Sequence, residues 1–219
     1  MYNTHHHPDH FLGNQAFDAA VIAAPQKVID NIAAEGDALT DNMYRLIGDW
    51  MRGTAPQLPT VALDAQQEEI GGRQFSLFYL SGHTSADFVI RDDATGVMFT
   101  GDLAFLDRAP TTPHADLPQW REALQTLART DSELIMPGHG PSDARQQSLV
   151  QTYDYLNWLD DTLRDAVSRG WSMNEAMQIA IPDEFLRLDV VNTEFERSVV
   201  HLYQGLEDEL LPQVPLNPD

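Results

Sequence analysis

The chain contains no cysteine, and among its 219 residues there is a single lysine, Lys27. Without cysteine, disulfides, iron–sulfur clusters and thiolate zinc sites are excluded, so any metal must be held by His, Asp or Glu. Positive charge is scarce: 13 Lys and Arg face 34 Asp and Glu, a formal net charge of −21 at pH 7. Such a field repels phosphates, which disfavours a nucleic-acid partner. A strongly hydrated acidic surface is its simplest use. No apolar run approaches the length of a membrane span, so no membrane partner is expected. What remains is the composition of a globular domain, 42% hydrophobic and 21% charged, with a chain long enough for a real core.

Against this background one stretch stands out. His5-His6-His7-Pro8-Asp9-His10 places four histidines and a carboxylate in six consecutive positions. His5, His7, Asp9 and His10 read as H-x-H-x-D-H. In an extended segment residues two apart project to one side, so His5 and His7 point together with Asp9 following. A turn into helix after Asp9 would bring His10 alongside. Imidazole and carboxylate suit zinc and harder first-row metals, and the density suggests two metal positions. A histidine run after an initiator Met can also be a purification tag. Here it is interrupted by Pro8 and Asp9, and a tag would not explain histidines further along.

The intervening pattern is that of a mixed α/β domain. A short helix is expected over 11–17 and a buried strand over 20–24, bounded by Pro25. A helix through Val28, Ile29 and Ile32 should stop at Gly36, and a second should run from Asp41 to Met51. Its Met43, Leu46, Ile47 and Trp50 are at core-packing spacing. A loop follows over 53–59. Strands at 67–70 and 73–80 flank Gly71-Gly72, and strands at 87–91 and 97–100 flank a second turn. Pro118 opens a helix ending near Arg129, and 133–136 is a short strand. From Ala144 the pattern is helical; Ser172–Glu175 and Thr193–Glu196 both match a capping box. The tail, 212–219, reads as loose.

Three later sites repeat one form, a polar residue in a Gly-containing turn after an apolar strand: Gly82-His83-Thr84, Thr100-Gly101-Asp102 and Gly138-His139-Gly140. Strand ends hold such groups firmly while leaving them reachable. Together with the opening motif, this set resembles the metallo-β-lactamase-fold hydrolase superfamily over 3–141. In finer detail, with Gly13-Asn14 after the motif and a helical carboxy-terminal section, it is similar to glyoxalase II-like members. Among these it looks closest to the quinoprotein relay system zinc metallohydrolases.

The resemblance implies an αββα sandwich with C-terminal helices. The metal-binding core would cover 1–141, with a helical section over 142–211 packed on it. Members normally carry several strands before the first motif, whereas only Met1–Thr4 precede it here, so an N-terminally truncated fold, and a fragment of a longer protein, is expected. An export signal would lie in that preceding region, which leaves periplasm and cytoplasm both open. By motif, His5, His7 and His83 would bind a first zinc, Asp9, His10 and His139 a second, and Asp102 both. His6, His114 and His201 fall outside the pattern.

Two zinc ions about 3.5–4 Å apart share a hydroxide at neutral pH. Asp9 would orient that nucleophile or move its proton, and an ester, thioester or lactam of a small-molecule substrate would be hydrolysed. His and Asp ligands do not distinguish zinc from iron. A mononuclear iron oxygenase of the same fold using His5, His7 and Asp102, or an inactive binding fragment, are the alternatives. The loop from Phe105 to His114 is a candidate for touching substrate.

Overall fold

The computed structural model describes residues 1–17 and 21–211. The buried faces of its strands set a four-layer order. A five-stranded sheet carries β3 (Gln67–Ile70), β4 (Arg73–Leu80), β5 (Asp87–Asp92), β6 (Val97–Phe105) and β7 (Leu134–His139) in that order. The first three pairings are antiparallel and β6–β7 is parallel. Along β5 the side chains alternate between two apolar environments, as the pleat requires. Val89 faces a cluster with Met98, Trp120 and Leu156, while Phe88 and Ile90 pack with Leu77, Tyr2 and Leu63.

The first cluster is roofed by α3 (Leu117–Ala128), α4 (Gln147–Ser168) and α7 (Val191–Leu210), whose apolar stripes interlock through Leu124, Leu159, Leu163, Phe195 and Val199. The short α5 (Met173–Ala176) and α6 (Asp183–Leu186) join the same roof through Ala176 and Phe185. On the other face lies a two-stranded parallel sheet of β1 (Ala23–Pro25) and β2 (Val61–Leu63). It is covered by α2 (Gln26–Ile47) through Val28 and Ile32, with Phe11 of α1 (Pro8–Phe11) filling the corner. The architecture is therefore an αββα sandwich, with a second β layer of two strands among the described residues. No described helix is long and apolar enough to cross a membrane.

Met1–Thr4 connects the two β layers. Asn3 N–H donates to the Ala23 carbonyl and Ala23 N–H to that of Met1, while Phe88 N–H donates to Thr4. The next residue, His5, is thereby delivered between the sheets.

Several expectations are corrected. The two helices divided at Gly36 are one, because Gly36 packs beneath Pro56 inside α2 and the chain leaves the helix only at Gly48, with φ of 60°. Of the spacing assigned to the core, Leu46 is 77% and Trp50 90% exposed. Leu46 lies in the last turn of α2, and Trp50 in a 3₁₀ turn, Gly48–Met51, that follows it. The 11–17 helix is broken into the end of α1 and a 3₁₀ turn at Asn14–Ala16. The strand placed at 20–24 is shifted to Ala23–Pro25, with Val21 exposed. β2 was not foreseen: three residues with no buried alternation carry little signal. The Ser172 capping box is present, but Thr193 lies inside α7, which starts at Val191 after left-handed Val190. The 212–219 tail lies outside the described residues.

Candidate metal centre

The opening motif divides between a loop and a helix. His5 and His7 lie on the loop after Thr4, and Pro8 sets the first turn of α1, so Asp9 and His10 are both helical rather than following an extended run. Two buried amides hold this segment. Asn3 and Asn14 exchange side-chain hydrogen bonds of 2.8 and 3.0 Å, Asn3 Nδ2 donates to the His10 carbonyl, and Asn14 Nδ2 to that of Gln57.

The remaining members arrive from the five-stranded sheet. His83 follows β4 in the loop to β5. Its carboxylate neighbour Asp87 accepts from Thr84 N–H and Oγ1, which shapes that loop. Asp102 stands within β6, beside a register irregularity, rather than in a turn after it. His139 is the last residue of β7. Gly82 adopts φ of 140°, and a Cβ there would overlap the Trp120 backbone, so the loop can descend against α3 only as glycine.

Folding brings all seven residues into one cluster. His5, His7, His83 and Asp102 offer ligand atoms within 4.8 Å of one another, and so do Asp9, His10 and His139. Asp102 joins the groups. Its Oδ1 lies 3.0 Å from His10 Nε2, and its Oδ2 lies 3.4 Å from His83 Nε2, 3.4 Å from His139 Nε2 and 3.8 Å from His5 Nε2. Asp9 Oδ2 is 3.1 Å from His139 Nε2 and 3.4 Å from His10 Nε2.

The electrostatics separate the two groups. Burial holds His5 and His7 far below the ordinary imidazole range and takes His83 down to about 4, so all three are neutral with lone pairs available at pH 7. His10 is also buried, but Asp102 and Asp9 overcome that and raise it to about 10. The same two carboxylates raise His139 to about 9. Asp102 is held well below the usual carboxylate range: burial opposes ionisation, and the imidazoles of His5, His10 and His139 outweigh it.

The donor set fits a divalent metal. His5 Nε2 is fully buried without a hydrogen-bond partner while its Nδ1 is engaged by Thr4 Oγ1 at 3.0 Å. One nitrogen held by a neighbour and the other buried without a hydrogen-bond partner is an arrangement that a metal-ligating histidine can use. Thr4 was not singled out in the sequence, although its adjacency to His5 was available. Neither was Glu35, which lies at the rim beside His6 and His114; His114, set outside the ligand pattern in the sequence, lies there too, against His7. His201 is exposed on α7. Phe105 and Trp120 are fully buried walls: Phe105 stacks on His139 with centroids 5.3 Å apart, and Trp120 meets His83 edge-on at 4.8 Å.

Known proteins repeat this frame. The sequence profile of the metallo-beta-lactamase superfamily matches residues 2–139. A metallo-beta-lactamase from Pontibacter korlensis is similar in structure, with TM-score 0.58 and 22% identity over 71% of this chain and 67% of that one. The metallo-beta-lactamase IND-7 gives 0.55 and 21%, over 71% and 66%. One from Hirschia baltica gives 0.51 and 21%, over 71% and 66%. The chain thus spans about two thirds of the length of these structures. No curated protein matches by sequence. With the profile covering the motif loop and the five-stranded sheet through β7, this chain belongs to the metallo-beta-lactamase superfamily.

Proposed function

We propose that the chain is a zinc-dependent hydrolase. His5, His7 and His83 would hold a first zinc and Asp9, His10 and His139 a second, with Asp102 shared. The observation that carries this reading is the position of the Asp102 carboxylate, whose two oxygens reach both groups at 3.0–3.8 Å. Two zinc ions so held supply a water acidified to near neutral pKa and an electrophile for a carbonyl oxygen.

The chain's own residues do the rest. Neutral His5, His7 and His83 present lone pairs at pH 7 without first losing protons. Asp9, 45% exposed at the side chain, is the carboxylate of the cluster open to solvent. It is placed to accept a proton from an attacking water and hand it to the leaving group. Phe105 and Trp120 keep water from the back of the site. No serine or cysteine nucleophile is needed. The expected substrates are small molecules bearing an ester, thioester or lactam, and the glyoxalase II-like sequence pattern favours the thioester.

The test is elemental analysis of purified protein together with initial rates on a chromogenic ester, a thioester and a β-lactam. Two zinc per chain and turnover of one class support the proposal, as does loss of both metal and rate in His83→Ala and Asp102→Ala. One iron with dioxygen uptake, or turnover that survives those substitutions, overturns it.

A further inference from the structure

His114 belongs to neither ligand group, yet its Nδ1 lies 2.8 Å from His7 Nε2. The other nitrogen of His7, Nδ1, is the one turned into the centre, 2.8 Å from His83 Nε2. A neutral imidazole carries one proton. If Nδ1 of His7 is to offer its lone pair to a metal, that proton must sit on Nε2. His7 then donates, and His114 Nδ1 accepts. His114 must in turn carry its own proton on Nε2, which faces Glu35 Oε2 at 3.5 Å. Each contact sets the direction of the next.

The geometry points to His114 as a positioning residue for the first metal site. Backed by Glu35, it selects the His7 tautomer whose lone pair faces the metal and fixes the plane of that ring. This rests on the reading of His7 as a ligand. Outer partners of this kind hold a ligating imidazole in place, and their loss weakens metal binding. His5 has a local counterpart in Thr4, whereas for His7 the fold recruits a residue 107 positions away.

The same proton count decides against a rival use of these residues. His6, His7 and His114 offer ring nitrogens within 4.8 Å of one another. His6 Nε2 lies 3.7 Å from Glu35 Oε2, and neither ring nitrogen of His6 has a hydrogen-bond partner. A third cation would be a natural occupant. However, a cation on His114 Nε2 would force the His114 proton onto Nδ1, facing the proton on His7 Nε2 across 2.8 Å with no acceptor between them. Occupation of the first metal site therefore disfavours a cation on that nitrogen.

The experiment compares wild type, His114→Ala and His114→Asn, whose amide oxygen can accept near the lost Nδ1. Zinc affinity is measured by competition with a chromophoric chelator, and ring ¹⁵N shifts are recorded on zinc-loaded wild type. The expected result is a loss of about 10–100-fold in affinity for one of two zinc ions in His114→Ala, largely restored in His114→Asn. His7 and His114 should both be protonated on Nε2. Unchanged affinity in His114→Ala, no restoration by Asn, His114 protonated on Nδ1, or a third zinc lost with His114 would each overturn the relay. Wild-type protein that binds no zinc overturns the hydrolase reading with it. Zinc that binds wild type but is indifferent to residue 114 overturns the relay alone.

Discussion

Gly138 lies so close to Asp102 that a Cβ built on it would overlap the carboxylate Oδ1, and it would crowd the backbone at Gly101 and Asp102 as well. The strand that ends in His139 thus packs directly on the shared carboxylate, and only a hydrogen at position 138 leaves room. Gly138→Ala is expected to cost about 1–3 kcal/mol in urea unfolding, since the obstacle is backbone that cannot yield. It should also displace Asp102 and lower bound zinc by elemental analysis. Full metal content in a stable variant would contradict the packing.

The raised imidazoles set a pH dependence for protein stripped by chelator. Folded His10 and His139 hold protons up to about 10 and about 9, while unfolded histidine releases its proton near about 6.5. The folded state therefore binds more protons across that window. This contribution is complete below about pH 6.5 and lost as pH rises through about 9 to 10. Urea midpoints of stripped protein should fall over that range. Zinc must displace the same protons, so affinity for the second zinc should rise with pH over about 7 to 9. A pH-independent midpoint and affinity would refute both.

Trp120 ties the α-helical roof to the site. It is fully buried, donates from Nε1 to the Leu103 carbonyl at 2.9 Å and lies edge-on to His83. Trp120→Ala removes the ring and its hydrogen bond to that carbonyl, so it should destabilise by about 3–5 kcal/mol in denaturant titration. Metal content should fall with it, since His83 loses a wall.

Trp50, in the 3₁₀ turn after α2, tests the core assignment. At 90% exposure it makes no core contribution, and Trp50→Ala should change the unfolding free energy by no more than about 0.5 kcal/mol. A loss of several kcal/mol would restore the core assignment that its spacing first suggested.

The candidate metal cluster was legible because its side chains are few and chemically distinct. His5, His7, Asp9 and His10 are contiguous, and His83, Asp102 and His139 each sit beside a glycine near a strand. The strands of the five-stranded sheet were legible from alternation and the Gly71-Gly72 turn. The continuity of α2 was not, because glycine at 36 is a stop signal locally and a packing surface once Pro56 lies on it. β2 was hidden for the opposite reason: its three residues pair with β1 but bury little.

The sequence by itself determined which candidate ligand types are present, that no thiolate is available, and which family's frame the motifs match. Tertiary structure alone decided that Asp102 faces both histidine groups, that Gly138 makes room for it, and that His114 rather than His6 meets the outer nitrogen of His7. The reason is separation along the chain. Residue type is a property of single positions, whereas which nitrogen of the His7 ring is engaged from outside depends on a partner 107 residues distant, brought there by the packing of the layers.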